Sequence, residues 1–371
     1  MQYYITKKVA PPTKQITLED ILAGEITDLY KYSPRGNWTT TRTDCYELKP
    51  NKKCEPGIII PVEKWLSKYG NLISEDMSAH YREFKIPKAK GGYRTIDDPD
   101  KELREAQAAL KKILEDYGAS YHTAAFAYIK GRCAKDAVVK HQLNKSNWCL
   151  RTDFSNFFGS INHEFLCKMI FMQYPFFTFS EEDKDKLKQA LKICFLRDGL
   201  PQGTIISPML TNLMMIPIDY YLANTFWGFN MVYTRYADDI QISAYKKFNH
   251  LEAVGWIDDV LEYFDAPFRI KPEKTKFSSV AGINYMLGLN LNKDHNVTVG
   301  HERKKKFKAM VTNFLCDWKS GKKWCVEEVQ HMVGICSYYR SIEKDYTEYI
   351  IKKLEGKFGL DFKQTVQSAL R

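Results

Sequence analysis

Two adjacent carboxylates, Asp238 and Asp239, close the tetrapeptide Tyr236-Ala237-Asp238-Asp239. The stretches on either side, Met231 to Arg235 and Ile240 to Ala244, alternate apolar and polar residues. A period of two on both sides of a short break is the pattern of a β-hairpin, which would present the acids at its tip. Like charges held together repel unless a cation neutralises them, and hard oxygen donors of this kind suit Mg²⁺, with Mn²⁺ as the substitute. Taken alone, an acidic dipeptide more often marks an ordinary polar turn.

A third carboxylate in a matching context changes the balance. Asp153 ends Trp148-Cys149-Leu150-Arg151-Thr152, which reads as a short half-buried strand, and Phe154-Ser155-Asn156-Phe157-Phe158-Gly159-Ser160-Ile161 follows it. Two Mg²⁺ ions roughly 4 Å apart can activate a 3′-hydroxyl and stabilise a departing pyrophosphate, and carboxylates from different strands must bridge them. One strand end would supply Asp153 and the hairpin Asp238 and Asp239. Between them, Leu200-Pro201-Gln202-Gly203-Thr204-Ile205-Ile206-Ser207-Pro208 is a turn-rich loop leading into an apolar segment, Met209 to Leu222, that suits one buried helix.

In this order, Asp-Phe-x-x-Phe-Phe, Leu-Pro-Gln-Gly-x-x-x-Ser-Pro and Tyr-Ala-Asp-Asp resemble the palm motifs of bacterial reverse transcriptases, the retron and group II intron branch in particular. Gly92-Tyr93-Arg94-Thr95-Ile96-Asp97-Asp98-Pro99, with Leu103 and Gln107, resembles the first fingers block, and Ala125 to Arg132 the second. Lys271-Pro272-Glu273-Lys274-Thr275 and Tyr285-Met286-Leu287-Gly288-Leu289-Asn290 resemble the last palm block and the primer grip. The similarity runs from about Phe84 to Ile342 and is greatest to retron enzymes, because the chain lacks the maturase and endonuclease regions of intron enzymes. In two places it departs from the retron pattern: Asp136-Ala137-Val138-Val139-Lys140-His141 stands for Asn-Ala-x-x-His, and Met286-Leu287-Gly288 for Val-Thr-Gly.

The resemblance implies an α+β right-hand polymerase with fingers, a palm built on a small antiparallel sheet, and a helical thumb. Its divisions would be an N-terminal extension at 1–80, fingers at 81–147, a palm at 148–300 with a helical insertion at about 160–200, and a thumb with the C-terminus at 301–371. Asp153 and Asp238 would bind metal directly, Asp239 more weakly or by tuning the site, and the backbone carbonyl of Phe154 would be a further ligand. Arg94 would meet the triphosphate, a planar guanidinium being suited to phosphate oxygens. Gln202 would contact the sugar and base of the incoming nucleotide, Phe158 would lie beneath its sugar, and Tyr236 would lie near the primer terminus. Lys274 would protonate the departing pyrophosphate, with nearby Lys276 as the competing choice. For each of these the plain alternative is a surface ion pair, a turn residue or a core aromatic.

The implied activity is RNA-directed DNA synthesis from dNTPs. The template would be a dedicated structured RNA, copied into single-stranded DNA that stays joined to it, in antiviral defence with an effector protein. Two alternatives stay open: a stand-alone defence-associated reverse transcriptase without a retron RNA, and a catalytically silent RNA-binding scaffold.

Length and composition agree with a compact cytoplasmic enzyme. The 371 residues, 44% hydrophobic and 14% aromatic, can bury a sizeable core. Nine cysteines without a Cys-x-x-Cys pair point to reduced thiols rather than a disulfide frame or a zinc site. Met1 to Lys8 has no apolar signal core, and Asn212, Pro217 and Asp219 interrupt the most apolar stretch, so neither secretion nor membrane insertion is expected.

Lysine and arginine exceed the acids by 55 to 45, a net +10 that favours a polyphosphate partner. Arg303, Lys304, Lys305, Lys306 and Lys308 concentrate this charge just past the palm, and Arg303, Lys304, Lys305 and Lys308 are the candidate nucleic-acid contacts. The same run opens a helix whose Phe307, Met310, Val311, Phe314, Leu315 and Trp318 share one face, with Gly321 closing it. A second amphipathic segment, Val326 to about Tyr339, would pack on the first as a thumb. The first 80 or so residues resemble nothing assignable beyond a short helical candidate, Leu18 to Leu29, and would serve as an RNA or protein clamp or as packing behind the fingers.

Overall fold

The structure is a computed structural model that describes residues 60–74, 76–88, 91–279 and 284–370, together with the backbone of three N-terminal strands. Those strands are β1 (Tyr3–Val9), β2 (Ser33–Pro34) and β3 (Cys45–Pro50), joined in one antiparallel sheet in the order β1-β3-β2. The helical candidate Leu18 to Leu29 lies outside the described residues.

Helix α1 (Ile60–Tyr69) packs against α2 (Lys101–Asp116) and tethers to it where Trp65 Nε1 donates to the Ala106 carbonyl at 2.9 Å. Before α2 runs a long hairpin, β4 (Tyr81–Pro87) and β5 (Tyr93–Pro99), turning over Gly91 and Gly92 with positive φ. Most of β4 is exposed, as befits a two-stranded ribbon projecting from the body. Asp100 then starts α2, its carboxylate accepting from the Leu103 backbone N–H at 2.8 Å.

The central sheet has the order β7-β8-β6-β9, all antiparallel, from β6 (Trp148–Asp153), β7 (Met231–Tyr236), β8 (Asp239–Ala244) and β9 (Lys276–Ser279). Strands β7 and β8 form the expected hairpin. They differ from a half-buried pair in being buried almost throughout, including Thr234, Arg235, Gln241 and Ser243. Helix α3 (Ala134–Leu143) lies on β7 and explains part of this: its His141 bonds Thr234 Oγ1 at 2.9 Å through Nε2 and Ser243 Oγ at 2.6 Å through Nδ1. Buried polar groups that are satisfied in this way cost far less than orphaned ones.

After β6 comes one helical turn, α4 (Phe157–Ser160), then α5 (His163–Phe171) and α6 (Glu181–Leu191). The apolar segment read as one helix is two, α7 (Ser207–Met214) and α8 (Ile216–Gly228). Pro217 provides the reason, since it has no N–H to continue the first helix and suits the opening turn of a second. Helix α9 (His250–Tyr263) covers α8. Residues from α1, α2 and α5 to α9 share one large hydrophobic core with the central sheet.

A second core lies beyond it. The small sheet β10 (Asn284–Met286), β11 (Leu289–Leu291) and β12 (Val297–Thr298) leads into α10 (His301–Lys319), α11 (Val326–Ile342), α12 (Lys344–Phe358) and α13 (Phe362–Ala369). Phe307, Val311, Phe314 and Leu315 of α10 are fully buried there, each contributing about 1.5–3 kcal/mol. No described helix is long and apolar enough to cross a membrane, and the seven described cysteines are all free thiols.

Candidate active site

The hairpin between β7 and β8 turns on two residues, Ala237 and Asp238, with Ala237 held at φ +57°. Left-handed backbone strains a residue with a Cβ, and such strain gathers at functional sites. Asp238 stands at the tip. Asp239 is already in β8, paired in register with Asp153 at the end of β6. All three carboxylates are thus brought to one end of the sheet, Asp238 from the turn and Asp239 and Asp153 from paired strand ends.

Backbone bonds lock this end in place. The Phe154 N–H donates to the Asp238 carbonyl at 3.2 Å, and the Lys271 N–H to the Asp153 carbonyl at 2.8 Å. The latter bond sets the following turn, Pro272–Lys274, so that Lys274 Nζ forms an ion pair with Asp153 Oδ2. Lys276 instead lies exposed in β9.

Burial and the neighbouring acids govern the charges. Burial first, then the charges of Asp238 and Asp153, pushes Asp239 up to about 6. Burial and Asp153 raise Asp238, against the pull of Lys274 and Arg94. The bond to Asp153 keeps Lys274 above the usual lysine value. Asp153 is 4% exposed, and its Oδ1 is buried without a hydrogen-bond partner. Raised carboxylates beside an orphaned carboxylate oxygen are chemically short of positive charge, and their hard oxygens fit Mg²⁺. Among the described residues no three His, Cys, Asp or Glu side chains are grouped so as to hold an ion as they stand. The Lys274 ammonium is the cation on Asp153 in this arrangement, so a metal there would have to compete with it.

Beside the acids opens a cleft of about 540 Å³. Arg94, Phe154, Phe158, Gln202, Asp238 and Lys274 all line it, whereas Asp153, Asp239 and Tyr236 are set back from its wall. Phe154 and Phe157 are buried core rings, but Phe158 is half-buried and faces the cleft, edge-on to Phe157 at 5.7 Å. Gln202 is held by its backbone, whose carbonyl accepts from the Asp97 N–H at 2.7 Å. Gly203, at φ +128°, follows, and a Cβ there would lie 2.8 Å from the Asp97 carbonyl. The hairpin β4–β5 therefore sits directly on the Gln202 turn.

Among the lining residues to which the sequence reading gave no role are Arg197, Asp97 and Lys271. Arg197 reaches across to Glu83 at 2.9 Å and to Asp97 at 3.6 Å, the second a carboxylate only 8% exposed. Arg197 and Asp198 both have positive φ and are closed by paired backbone bonds between Leu196 and Gly199. This is a tight two-residue turn without the Asn or Gly that would signal one. Lys271 is the third, the first residue of the block that carries Lys274.

The basic run of α10 divides. Arg303 donates to the Gly288 carbonyl and, at 3.4 Å, to the Tyr285 hydroxyl. Lys304 is paired with Glu343 at 2.5 Å, leaving Lys305, Lys306 and Lys308 exposed.

Residues 86–310 match the family described as reverse transcriptase (RNA-dependent DNA polymerase). The chain is 29% identical over 301 residues to the Retron Ec83 reverse transcriptase of Escherichia coli, covering 78% of this chain and 90% of the relative. It is 26% identical over 294 residues to the Retron Ec73 reverse transcriptase of the same organism, covering 76% and 88%. Among solved structures, an apo telomerase from Candida tropicalis, truncated from its C-terminal domain, aligns with a TM-score of 0.44 at 14% identity, over 63% of this chain and 58% of the other.

Proposed function

The chain belongs to the reverse transcriptase (RNA-dependent DNA polymerase) family, a right-hand polymerase fold, and we propose that its cleft extends a primer 3′ end with dNTPs on an RNA template by a two-metal mechanism. One observation carries this: the β6–β8 register that sets Asp153 opposite Asp239 and beside the Asp238 turn, at the edge of a cleft lined by Arg94, Gln202 and Phe158. Asp153 and Asp238 would hold Mg²⁺, with Asp239 and the Phe154 carbonyl as weaker contributors. Bound there, the ions would make the primer hydroxyl a better nucleophile and neutralise charge on the leaving pyrophosphate.

The chain's own groups do the rest. Arg94, exposed on β5 at the mouth of the cleft, offers a fork of donors to the triphosphate. Gln202 holds sugar and base, Phe158 excludes a 2′-hydroxyl by bulk, and Tyr236 supports the primer terminus. Lys274 Nζ, protonated at neutral pH as any ordinary lysine is and held in that form by its acidic neighbours, would give its proton to pyrophosphate. The hairpin β4–β5 with α2 and α3 would be the fingers, the central sheet the palm, α5 and α6 its helical insertion, and α10 to α13 the thumb.

A dedicated structured RNA is the template we favour, copied into single-stranded DNA in a retron antiviral system in the cytoplasm with an effector protein. The retron relatives support this choice. Sequencing the nucleic acid that copurifies with the protein tests it. A single RNA species joined to DNA is expected; DNA without a linked RNA would replace the retron assignment with a stand-alone defence enzyme.

A further inference from the structure

Arg235 is the largest fully buried side chain among the described residues, and its partner Asp219 is equally inaccessible. The two meet in a fork: Nε donates to Oδ1 at 2.9 Å and Nη2 to Oδ2 at 2.7 Å. Tyr233 adds its hydroxyl to Asp219 Oδ1 at 2.8 Å. The third arm of the guanidinium, Nη1, donates at 3.1 Å to the carbonyl of Ala237, the left-handed residue of the Asp238 turn.

A core that needs only filling does not need this arrangement. Both charges are stripped of water, and buried ion pairs of this sort are often replaced by well-packed apolar residues at no loss of stability. What an apolar replacement could not supply is the bond to Ala237. The backbone around Arg235 is fixed as well, its N–H donating to the Ala124 carbonyl at 2.8 Å and its carbonyl accepting from the Phe126 N–H at 2.9 Å. Asp219, one turn into α8, therefore orients the guanidinium, and the guanidinium orients the turn.

We propose that Asp219 and Arg235 are positioning residues that hold the Ala237-Asp238 turn in its left-handed form and so aim the Asp238 carboxylate at the metal site. This rests on the catalytic assignment of Asp238 made above. A forked donor is needed because two arms are used on Asp219 before one remains for the turn, and lysine, a compact ammonium, lacks that geometry. Small misplacements of a catalytic group are enough to slow chemistry by orders of magnitude.

The decisive variant removes the pair without leaving a buried charge: Asp219→Leu, Arg235→Met and Tyr233→Phe together. The expected protein melts at or above the wild-type temperature and binds RNA and dNTPs with unchanged affinity. Its kcat, however, falls roughly 10- to 100-fold, and it needs more Mg²⁺ for half-maximal rate. Wild-type kcat and Mg²⁺ dependence in that folded protein would overturn the proposal. Should the triple variant fail to fold, Arg235→Lys decides: a lowered kcat at unchanged dNTP KM, with a raised Mg²⁺ requirement, supports positioning, and full kcat refutes it. Asp238→Asn is run alongside. If it still synthesises DNA, the catalytic assignment itself has failed; if it is dead while the triple variant is fully active, only the positioning role has.

Discussion

Alternation along two strands made the three acids legible before any coordinates. The patterns placed each acid at a strand end or turn, and the pairing of β6 with β8, which sets Asp153 opposite Asp239 beside the Asp238 turn, is what makes them neighbours. The role of Phe158 was less legible, since Phe154, Phe157 and Phe158 look alike in sequence and all reach the cleft, and only burial separates two core rings from the half-buried third. If that ring excludes the 2′-hydroxyl by contact, purified Phe158→Ala will incorporate ribonucleotides measurably while retaining deoxynucleotide incorporation. Single-nucleotide extension with matched dNTP and rNTP measures the ratio, and an unchanged ratio would remove Phe158 from the site. Arg197 and Asp97 were not legible at all, because their pairing depends on a tight turn lacking its usual residues.

His141 makes a different prediction at the same scale. Burial, with Lys140 adding to it, pushes its imidazole down to about 3. The unfolded chain takes up the proton near 6.5 and the folded one does not, so the unfolded state binds more protons between these values. Stability from neutral His141 is therefore fully present above pH 6.5 and is lost as pH falls toward 3, by up to about 1.4 kcal/mol per pH unit. His141→Asn removes this dependence. The stability gap between wild type and variant, measured by urea unfolding, is expected to shrink from pH 8 to pH 5, and a constant gap would show that His141 takes up its proton as readily in the fold as in the unfolded chain.

Among the helices, those with one buried face were read correctly, and the segment buried on nearly every side was not. Helices α10 and α11 carry clean three-and-four spacing and lie where that spacing puts them. Met209 to Leu222 has no such contrast, because both halves are buried on nearly every side, and only Pro217 hints at the break. The basic run of α10 needs the same distinction. Lys304 is committed to Glu343, whose other oxygen accepts from the Thr298 hydroxyl at 2.8 Å and the Val299 N–H at 2.9 Å. Replacing exposed Lys305 and Lys308 with Ala is expected to weaken RNA binding similarly for unrelated sequences and to flatten the salt dependence by up to about two counterions. Lys304→Ala should instead lower the melting temperature with less change in salt slope. Titrations of two unrelated RNAs across salt concentrations check both, and an unmoved slope in the double variant would detach this helix from the nucleic acid.

On the scale of the whole molecule, two cores carry two tasks. The larger joins the central sheet to α1, α2 and α5 to α9 and fixes the acids; the smaller assembles α10 to α13 on β10 to β12. The first pair of these last helices was expected, while α12 and α13 fill the rest of the 301–371 region, where the sequence reading placed no individual helix. The family blocks from Phe84 to Ile342 span both cores, which is why fold and site could be read together. Residues before them gave no motif.

Everything in this account passes through one carboxylate. RNA-templated primer extension with dNTPs and Mg²⁺ is the direct measurement, made on wild type and Asp238→Asn at protein concentrations that bind equal amounts of the RNA. Wild type should extend the primer, and Asp238→Asn should bind the RNA nearly as well yet make no DNA, because the carboxylate serves the metal and the RNA is held mainly by basic side chains. Full extension by Asp238→Asn would contradict the assignment of this hairpin as the catalytic centre.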